Sequence, residues 1–218
     1  MKREIVITGD GSTTIRIPDW NENYHSSHGA IQEAKHVFVT HGLDVFQNQD
    51  EISILEIGFG TGLNAFITYL EHIKRSLKVK YVGVEAYPIL KEEVVQLNYV
   101  EQLQALEYDE VFKTMHQMPW EENKQLDETF EFTKRQQFFQ DINDEAAFNL
   151  IYFDAFGFRV QPELWSDLIF QKMYDALKPK GKLVTYAARG VVKRSMIEVG
   201  FKVEKIAGPP GKREMFRA

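Results

Sequence analysis

Apolar residues along the chain change their spacing abruptly, and the changes mark the elements. Ile52, Ile54, Leu55 and Ile57 form a short, mostly β-branched run that breaks into Gly58-Phe59-Gly60-Thr61-Gly62. From Leu63 the spacing becomes helical, with Leu63, Phe66, Ile67, Leu70, Ile73 and Leu77 on one face. This pattern predicts a buried strand, a tight turn and a helix over 63–77. A second strand is predicted over 79–84, ending at Glu85. Pro88 then opens a helix at its tolerated first turn, running through Leu90, Val94, Val95 and Leu97 toward Leu103. Strand, helix, strand, helix in this order implies a parallel sheet with right-handed crossovers.

The flanking stretches read less uniformly. Residues 3–7 and 13–17 are β-prone runs around Thr8-Gly9-Asp10-Gly11-Ser12, a hairpin signal that predicts a small ribbon outside the main sheet. A polar stretch over 21–29 leads into a helical pattern on Ala30, Ile31, Ala34, Val37 and Phe38, with Ser26 or Ser27 as its N-cap. We therefore divide the chain into an extension over 1–48 and a main domain over 49–218. Residues 106–144 read as an irregular insertion followed by a strand or hairpin ending near Asp141. Phe148 to Phe153 is a central buried strand closed by Asp154. Gln161-Pro162-Glu163 begins a helix to Leu177 that Lys178-Pro179-Lys180-Gly181 stops, and a strand follows over 182–186. A helix over 191–199 ends at Gly200 in the C′ position, and runs over 201–206 and 213–217 close the chain as an antiparallel hairpin.

Composition narrows the partners. The 218 residues are 44% hydrophobic, enough for one good core, and hold no cysteine, which excludes disulfides, thiolate zinc and a thiol nucleophile. No apolar run approaches membrane-spanning length, so a soluble, cytoplasmic protein is expected; the sequence does not fix the oligomeric state, and a monomer is favoured. The net charge of −6 conceals an asymmetry: residues 1–158 carry −13 and residues 159–218 carry +7. A basic face on the C-terminal part attracts phosphates. His25 and His28 lack a third ligand at zinc-like spacing, and no metal is expected.

The glycine turn reads as a ligand seat, because the chain there needs positive φ and a backbone free of Cβ atoms. It departs from the dinucleotide pattern G-x-G-x-x-G, since Leu63 stands where the third glycine belongs, and it has no Lys-Ser/Thr pair for a phosphate loop. Acids take their place. Glu56, two residues before the turn, suits an ammonium group, and Glu85 suits a ribose diol. Together they favour S-adenosylmethionine over a phosphate-rich cofactor. Asp154, at the end of a central strand, falls with Gly58, Glu85 and Asp141 at the carboxyl edge where open α/β sheets bind ligands. If the acceptor is an amine, a primary alkylamine has a reference pKa of about 10.4, and Asp154 then orients it and accepts or relays its proton rather than acting as a strong base.

The E-x-G-x-G-x-G pattern followed by an acid ending the next strand resembles motifs I and II of the class I methyltransferases. That resemblance implies a Rossmann-like, mostly parallel seven-stranded sheet with an antiparallel C-terminal hairpin strand. The strings Ile54-Leu55-Glu56-Ile57-Gly58-Phe59-Gly60-Thr61-Gly62-Leu63-Asn64, Tyr152-Phe153-Asp154-Ala155-Phe156 and Gly211-Lys212-Arg213-Glu214-Met215 resemble more narrowly the methyltransferase domain of MnmC-type tRNA wobble-uridine modification enzymes. Tyr24 to Gly29 and Glu33 to Phe38 resemble that family's segment before motif I. The likeness runs from about residue 20 to the end. It implies methyl transfer from S-adenosylmethionine to the amine of 5-aminomethyl(-2-thio)uridine in the tRNA anticodon region. The cofactor set is then Glu56, Gly58, Gly60, Gly62, Asn64, Glu85, Asp141, Ile142 and Asp154, with Asp154 also catalytic.

Two departures accompany the resemblance. Bifunctional members carry an FAD-dependent oxidase domain for which 218 residues leave no room, so a stand-alone methyltransferase without FAD is expected. Asp154-Ala155-Phe156-Gly157 differs from the Asn/Asp-Pro-Pro-aromatic string used on exocyclic base amines, in keeping with an alkylamine, and lacks the proline that often follows the phenylalanine by two residues. For tRNA contact the candidates are Lys193, Arg194, Lys212 and Arg213 on phosphates and Phe156, Phe158 and Tyr186 on a splayed base. Two rival readings stay open: a methyltransferase of a small-molecule or protein amine, and a catalytically silent RNA-binding module on the same fold.

Overall fold

The computed structural model describes residues 2–218. Strands β1 (Glu4–Ile7), β2 (Thr13–Ile17) and β3 (Glu22–Asn23) form an antiparallel sheet in that order. The third strand adds to the predicted ribbon: Asn21 takes a left-handed φ of 49°, turning the chain so that Arg16 faces Asn23. Helix α1 (Ala30–Ala34) continues through a wider π-helical turn over Lys35–Thr40. Neither Ser26 nor Ser27 caps it. Gly29 holds the cap position, and the first amides are met from the β1–β2 turn, where Thr8 Oγ1 accepts from Ala30 at 3.3 Å and Asp10 Oδ2 from Gln32 at 2.9 Å. The N-terminal sheet is thereby tied to a helix whose apolar face shares the core with Ile52, Ile54 and Phe66.

The main sheet is laid down by β4 (Glu51–Ile57), α2 (Leu63–Arg75), β5 (Lys78–Val84), α3 (Lys91–Val94), α4 (Tyr99–Gln102), α5 (Asp109–Gln117), β6 (Asn123–Gln125), β7 (Phe130–Arg135), β8 (Phe148–Phe153), α6 (Asp167–Ala176), β9 (Leu177–Thr185), α7 (Gly190–Glu198), β10 (Glu204–Ala207) and β11 (Glu214–Arg217). Its strand order is β10-β11-β9-β8-β4-β5-β7-β6. Strands β7, β5, β4, β8 and β9 run parallel, and β11 turns back antiparallel against β9. The sheet has eight strands, one more than expected, because the hairpin signal before Phe130 produces β6 as an antiparallel edge. Between β4 and β8 the strand order reverses, and a crevice opens outside their carboxyl ends.

Three predicted elements differ in ways that have local causes. The helix after Pro88 breaks into α3 and α4, because Asn98 turns its side chain to the N-terminal sheet, accepting from Thr13 N at 2.8 Å and donating to Gly11 O at 2.9 Å. The helix begun at Pro162 is a 3-10 turn until Ser166 adopts an extended conformation, and α6 starts only at Asp167. Here the Trp165 indole donates to Phe156 O at 2.8 Å and holds the first turn against the loop after β8. Lys178 to Gly181 forms a bulge within β9 rather than a stop before it.

Alternation along β4 assigns its two faces. Ile52 and Ile54 enter the core on the α2 side, and Leu55 and Ile57 enter the core under α6 and α7. Glu56 therefore points toward α2 as well.

Candidate active site

Leaving β4, the chain reverses through Gly58, Gly60 and Gly62 with φ of 89°, 49° and 73°. At Gly58 a side chain is excluded twice over, since a Cβ would also lie 2.6 Å from the Asp154 carbonyl oxygen. The turn is clamped from behind through Thr61. Tyr99 donates to its hydroxyl at 3.1 Å, His25 Nε2 stands 3.4 Å from the same oxygen, and His116 Nε2 donates to its carbonyl at 3.1 Å. Burial pushes both histidines down to about 4, so they stay neutral. One layer further back, the buried Lys134 ammonium donates to His116 O at 2.7 Å and sits 4.6 Å from the Trp120 ring centroid. Burial lowers its pKa to about 8.

Glu85 ends β5 at the mouth of the turn. One carboxylate oxygen accepts from Gly60 N at 3.0 Å and the other from Tyr87 N at 2.9 Å. A carboxylate has about four acceptor sites, which leaves capacity for a diol. Glu56 behaves differently from expectation. It is fully buried, accepts from Tyr81 OH at 2.8 Å and from Asn64 Nδ2 at 2.9 Å, and burial raises its pKa well above the carboxylate range. Because Glu56 faces the α2 side beneath the turn, Asn64 stands on the cleft wall in its place. Asn64 Nδ2 also donates to Asp154 Oδ2 at 2.9 Å, while its Oδ1 is buried without a partner.

Asp154 closes this chain of polar groups. Its carboxyl is pushed up to about 7, first by burial and then by the negative charge of Glu33, against the opposing Asn64 hydrogen bond and Lys212 charge. It is thus a better proton acceptor near neutrality than sequence reasoning allowed. Glu33 was missed altogether. It is an acid on the apolar face of α1, 8% exposed, accepting from Ser26 N at 2.7 Å and from Lys212 Nζ at 2.6 Å. The signal was present in its position between Ala30 and Val37, where a charge has no reason to be unless partnered. Lys212 Nζ also lies 3.8 Å from the Tyr186 ring centroid, and Tyr186 OH donates to Ala155 O at 2.8 Å. Phe156 packs edge-on against Trp20 at 5.4 Å and Tyr24 at 4.9 Å.

These groups share one cleft of about 1520 Å³, lined by Gly58, Gly60, Asn64, Glu85, Asp154 and Phe156 and, across from them, by Glu33, Tyr186 and Lys212. Gly62, Asp141 and Ile142 do not line it; a Cβ on Gly62 would meet His116 Nε2 at 2.9 Å, behind the turn. Strand β7 ends at Arg135, and the turn over Phe139–Asp141 directs Asp141 to solvent and Ile142 into the core, leaving Phe138, Phe139 and Gln140 on the wall. Phe158 and Arg213 line a second cavity of about 380 Å³ that shares Gly157, Tyr186 and Lys212 with the first. Lys193 and Arg194 ride on α7 and reach neither wall.

A glycine-lined cleft at the switch point of such a sheet is where open α/β folds take their ligands, and comparison with known proteins narrows the class. The profile of the S-adenosyl-L-methionine-dependent methyltransferase family matches residues 97–218, more than half of the chain, and the chain belongs to that family. Within it, the chain is similar to the tRNA 5-methylaminomethyl-2-thiouridine biosynthesis bifunctional protein MnmC of Cupriavidus necator, at 28% identity over 91% of this chain and 32% of that protein. The MnmC of a Marinomonas species is 26% identical over 90% of this chain and 31% of its own length. The chain thus spans about a third of the length of these curated relatives. Among solved structures it resembles MnmC2 from Aquifex aeolicus, with a TM-score of 0.76 and 26% identity over 100% of this chain and 69% of that one. Spermidine synthase from Thermotoga maritima shares the fold, with a TM-score of 0.54 at 13% identity over 100% and 70% of the two chains.

Proposed function

We propose that the protein methylates the primary amine of 5-aminomethyl(-2-thio)uridine at the wobble position of tRNA, using S-adenosylmethionine. The observation that carries this reading is the placement of Asp154, whose proton affinity is tuned to neutrality, between the glycine seat and an aromatic wall bearing Lys212. The relatives whose names specify 5-methylaminomethyl-2-thiouridine biosynthesis support the choice of acceptor.

The residues present fit the cofactor. Gly58 and Gly60 present bare backbone on the cleft wall, Asn64 Oδ1 is an orphaned buried acceptor suited to an ammonium donor, and Glu85 retains acceptor capacity for a ribose. Gly60 completes the cradle, Gly62 serves only the path of the turn, and Glu56 acts through Asn64. When bound, S-adenosylmethionine supplies a methyl group on a sulfonium, open to in-line attack by a nitrogen lone pair.

The protein's own contribution is positioning and proton handling. Asp154 accepts a hydrogen bond from the acceptor amine, holding its lone pair toward the glycine seat. As the N–C bond forms, the nitrogen becomes a secondary ammonium, and Asp154 is placed to take the proton it sheds. Asn64 fixes the carboxylate. Phe156 and Tyr186 offer faces for a base, and Lys212, neutralised in part by Glu33, adds a cation to the rim. No helix among the described residues is long and apolar enough to cross a membrane.

The test is incubation with labelled S-adenosylmethionine and bulk tRNA from a strain lacking this modification, followed by nucleoside analysis. Label is expected in 5-methylaminomethyl(-2-thio)uridine. Label in no tRNA nucleoside overturns the reading.

A further inference from the structure

The second cavity is not used by the methyl-transfer chemistry, and its walls have a distinct character. Phe158 and Trp165 form its apolar side, and Arg189, Lys212 and Arg213 its cationic side. Lys212 is already paired with Glu33. Arg189 and Arg213 have no carboxylate partner among the described residues. The acid on this wall, Glu214, is committed to Lys205 at 2.9 Å. Arg189 is held in place without losing its donors, because its guanidinium lies 5.6 Å from the Phe158 ring centroid. Stacking of this kind leaves the planar fork of N–H groups free for a bidentate anion. Lys193, one helical turn beyond Arg189 on α7, continues the positive surface outward.

We propose that this cavity is a phosphate subsite for the polynucleotide, in which Arg189 and Arg213 bind a backbone phosphodiester next to the acceptor nucleotide. The inference rests on the tRNA reading above and deepens it. The two cavities meet at Gly157, Tyr186 and Lys212, so a strand that inserts one base into the main cleft carries its neighbouring phosphate past Tyr186 toward Arg189. Phe158 then acts by positioning Arg189 rather than by stacking on the acceptor base. The site recognises the RNA backbone, not a base, and so secures the acceptor without choosing among tRNAs.

The experiment uses a short RNA hairpin bearing the aminomethyluridine in its loop, made with either natural linkages or an uncharged methylphosphonate at each of the two linkages flanking that nucleotide. Binding is read by fluorescence anisotropy and turnover by label transfer, with the free nucleoside as a second acceptor. Arg189→Ala is expected to weaken hairpin binding by about 10-fold, raise KM more than it lowers kcat, and reduce the salt slope by about 1. Its penalty is expected to be greater on the hairpin than on the nucleoside, and Arg189→Lys should recover part of the loss. With one of the two methylphosphonates, wild type and Arg189→Ala should bind alike. Equal penalties on hairpin and nucleoside, or a loss that persists with both methylphosphonates in turn, overturns the subsite. Phosphate-dependent binding through Arg189 without any methylation of the hairpin would keep the subsite and discard the proposed acceptor.

Discussion

On the glycine side of the cleft, the residues that line it lie within a short stretch of chain. Gly58 to Gly62, Asn64 and Glu85 belong to one strand-turn-helix-strand unit, cross-braced within itself by the Gly60–Glu85, Asn64–Glu56 and Tyr81–Glu56 hydrogen bonds. On the opposite side, Glu33, Asp154, Phe156, Tyr186 and Lys212 come from separate parts of the chain, and the Glu33–Lys212 ion pair joins positions 179 apart. One wall is a local motif and the other is assembled from a few long-range contacts. The first kind of wall fixes a constant ligand. On the proposed reading, the second leaves room for acceptor recognition to vary while the cofactor seat is kept, which is the division of labour expected when one fold serves many acceptors.

The division is broken most severely at Gly58, where the two walls touch. Gly58→Val places a branched side chain where φ is 89° and a Cβ would lie 2.6 Å from Asp154 O. Backbone strain alone costs at least about 1–2 kcal/mol, and the displaced Asp154 adds to it. Cofactor binding measured by calorimetry is expected to fall by more than about 10-fold, with turnover lost along with it. Wild-type affinity would show that the turn is not the seat.

Two substitutions on the far wall sharpen the comparison by moving the pH profile in opposite directions. Asp154 is pushed up by burial first and by Glu33 second, and pulled down by Lys212. In the proposed mechanism the carboxylate is the active form, so activity is expected to rise with pH through about 7. Glu33→Gln removes the raising charge and should shift the acid limb to lower pH. Lys212→Met removes the lowering charge and should shift it to higher pH. Each changes acceptor KM more than cofactor affinity. Limbs that stay fixed in both variants would detach Asp154 from these two neighbours.

The smallest effect concerns stability behind the turn. His25 and His116 are depressed from 6.5 to about 4 by burial. Above 6.5 both are neutral in the folded and unfolded chain, so their contribution is fully present there. Between 6.5 and about 4 the unfolded chain binds more protons, and stability falls as pH falls. Thermal melts should show Tm declining over that window, and His25→Gln should flatten part of the decline. An unchanged slope would mean that His25 is protonated without penalty.

How much of this was legible in the sequence follows from the same contrast. Strand β4, the glycine turn, α2, β5 with Glu85 and β8 with Asp154 are written as continuous apolar runs punctuated by glycine, and short-range sterics suffice to read them. The seven parallel-core and hairpin strands follow, and β6 realises the hairpin alternative in the 106–144 stretch as an eighth strand. The breaks at Asn98 and Ser166 were not readable, because distant partners, Gly11 and Thr13 in one case and Phe156 with Trp165 in the other, decide them. For the same reason Asp141 was placed at the cleft when it faces solvent, and Glu56 was given a ligand contact that Asn64 intercepts. Glu33 escaped notice because its partner lies at the other end of the chain.

The most direct test is Asp154→Asn, which keeps the shape of the side chain and removes its ability to take a proton. Cofactor affinity and single-turnover methylation of unmodified tRNA are measured on the same preparation. The prediction is near-native binding of S-adenosylhomocysteine with methylation slowed by roughly 10²-fold or more. Methylation at the wild-type rate would contradict it.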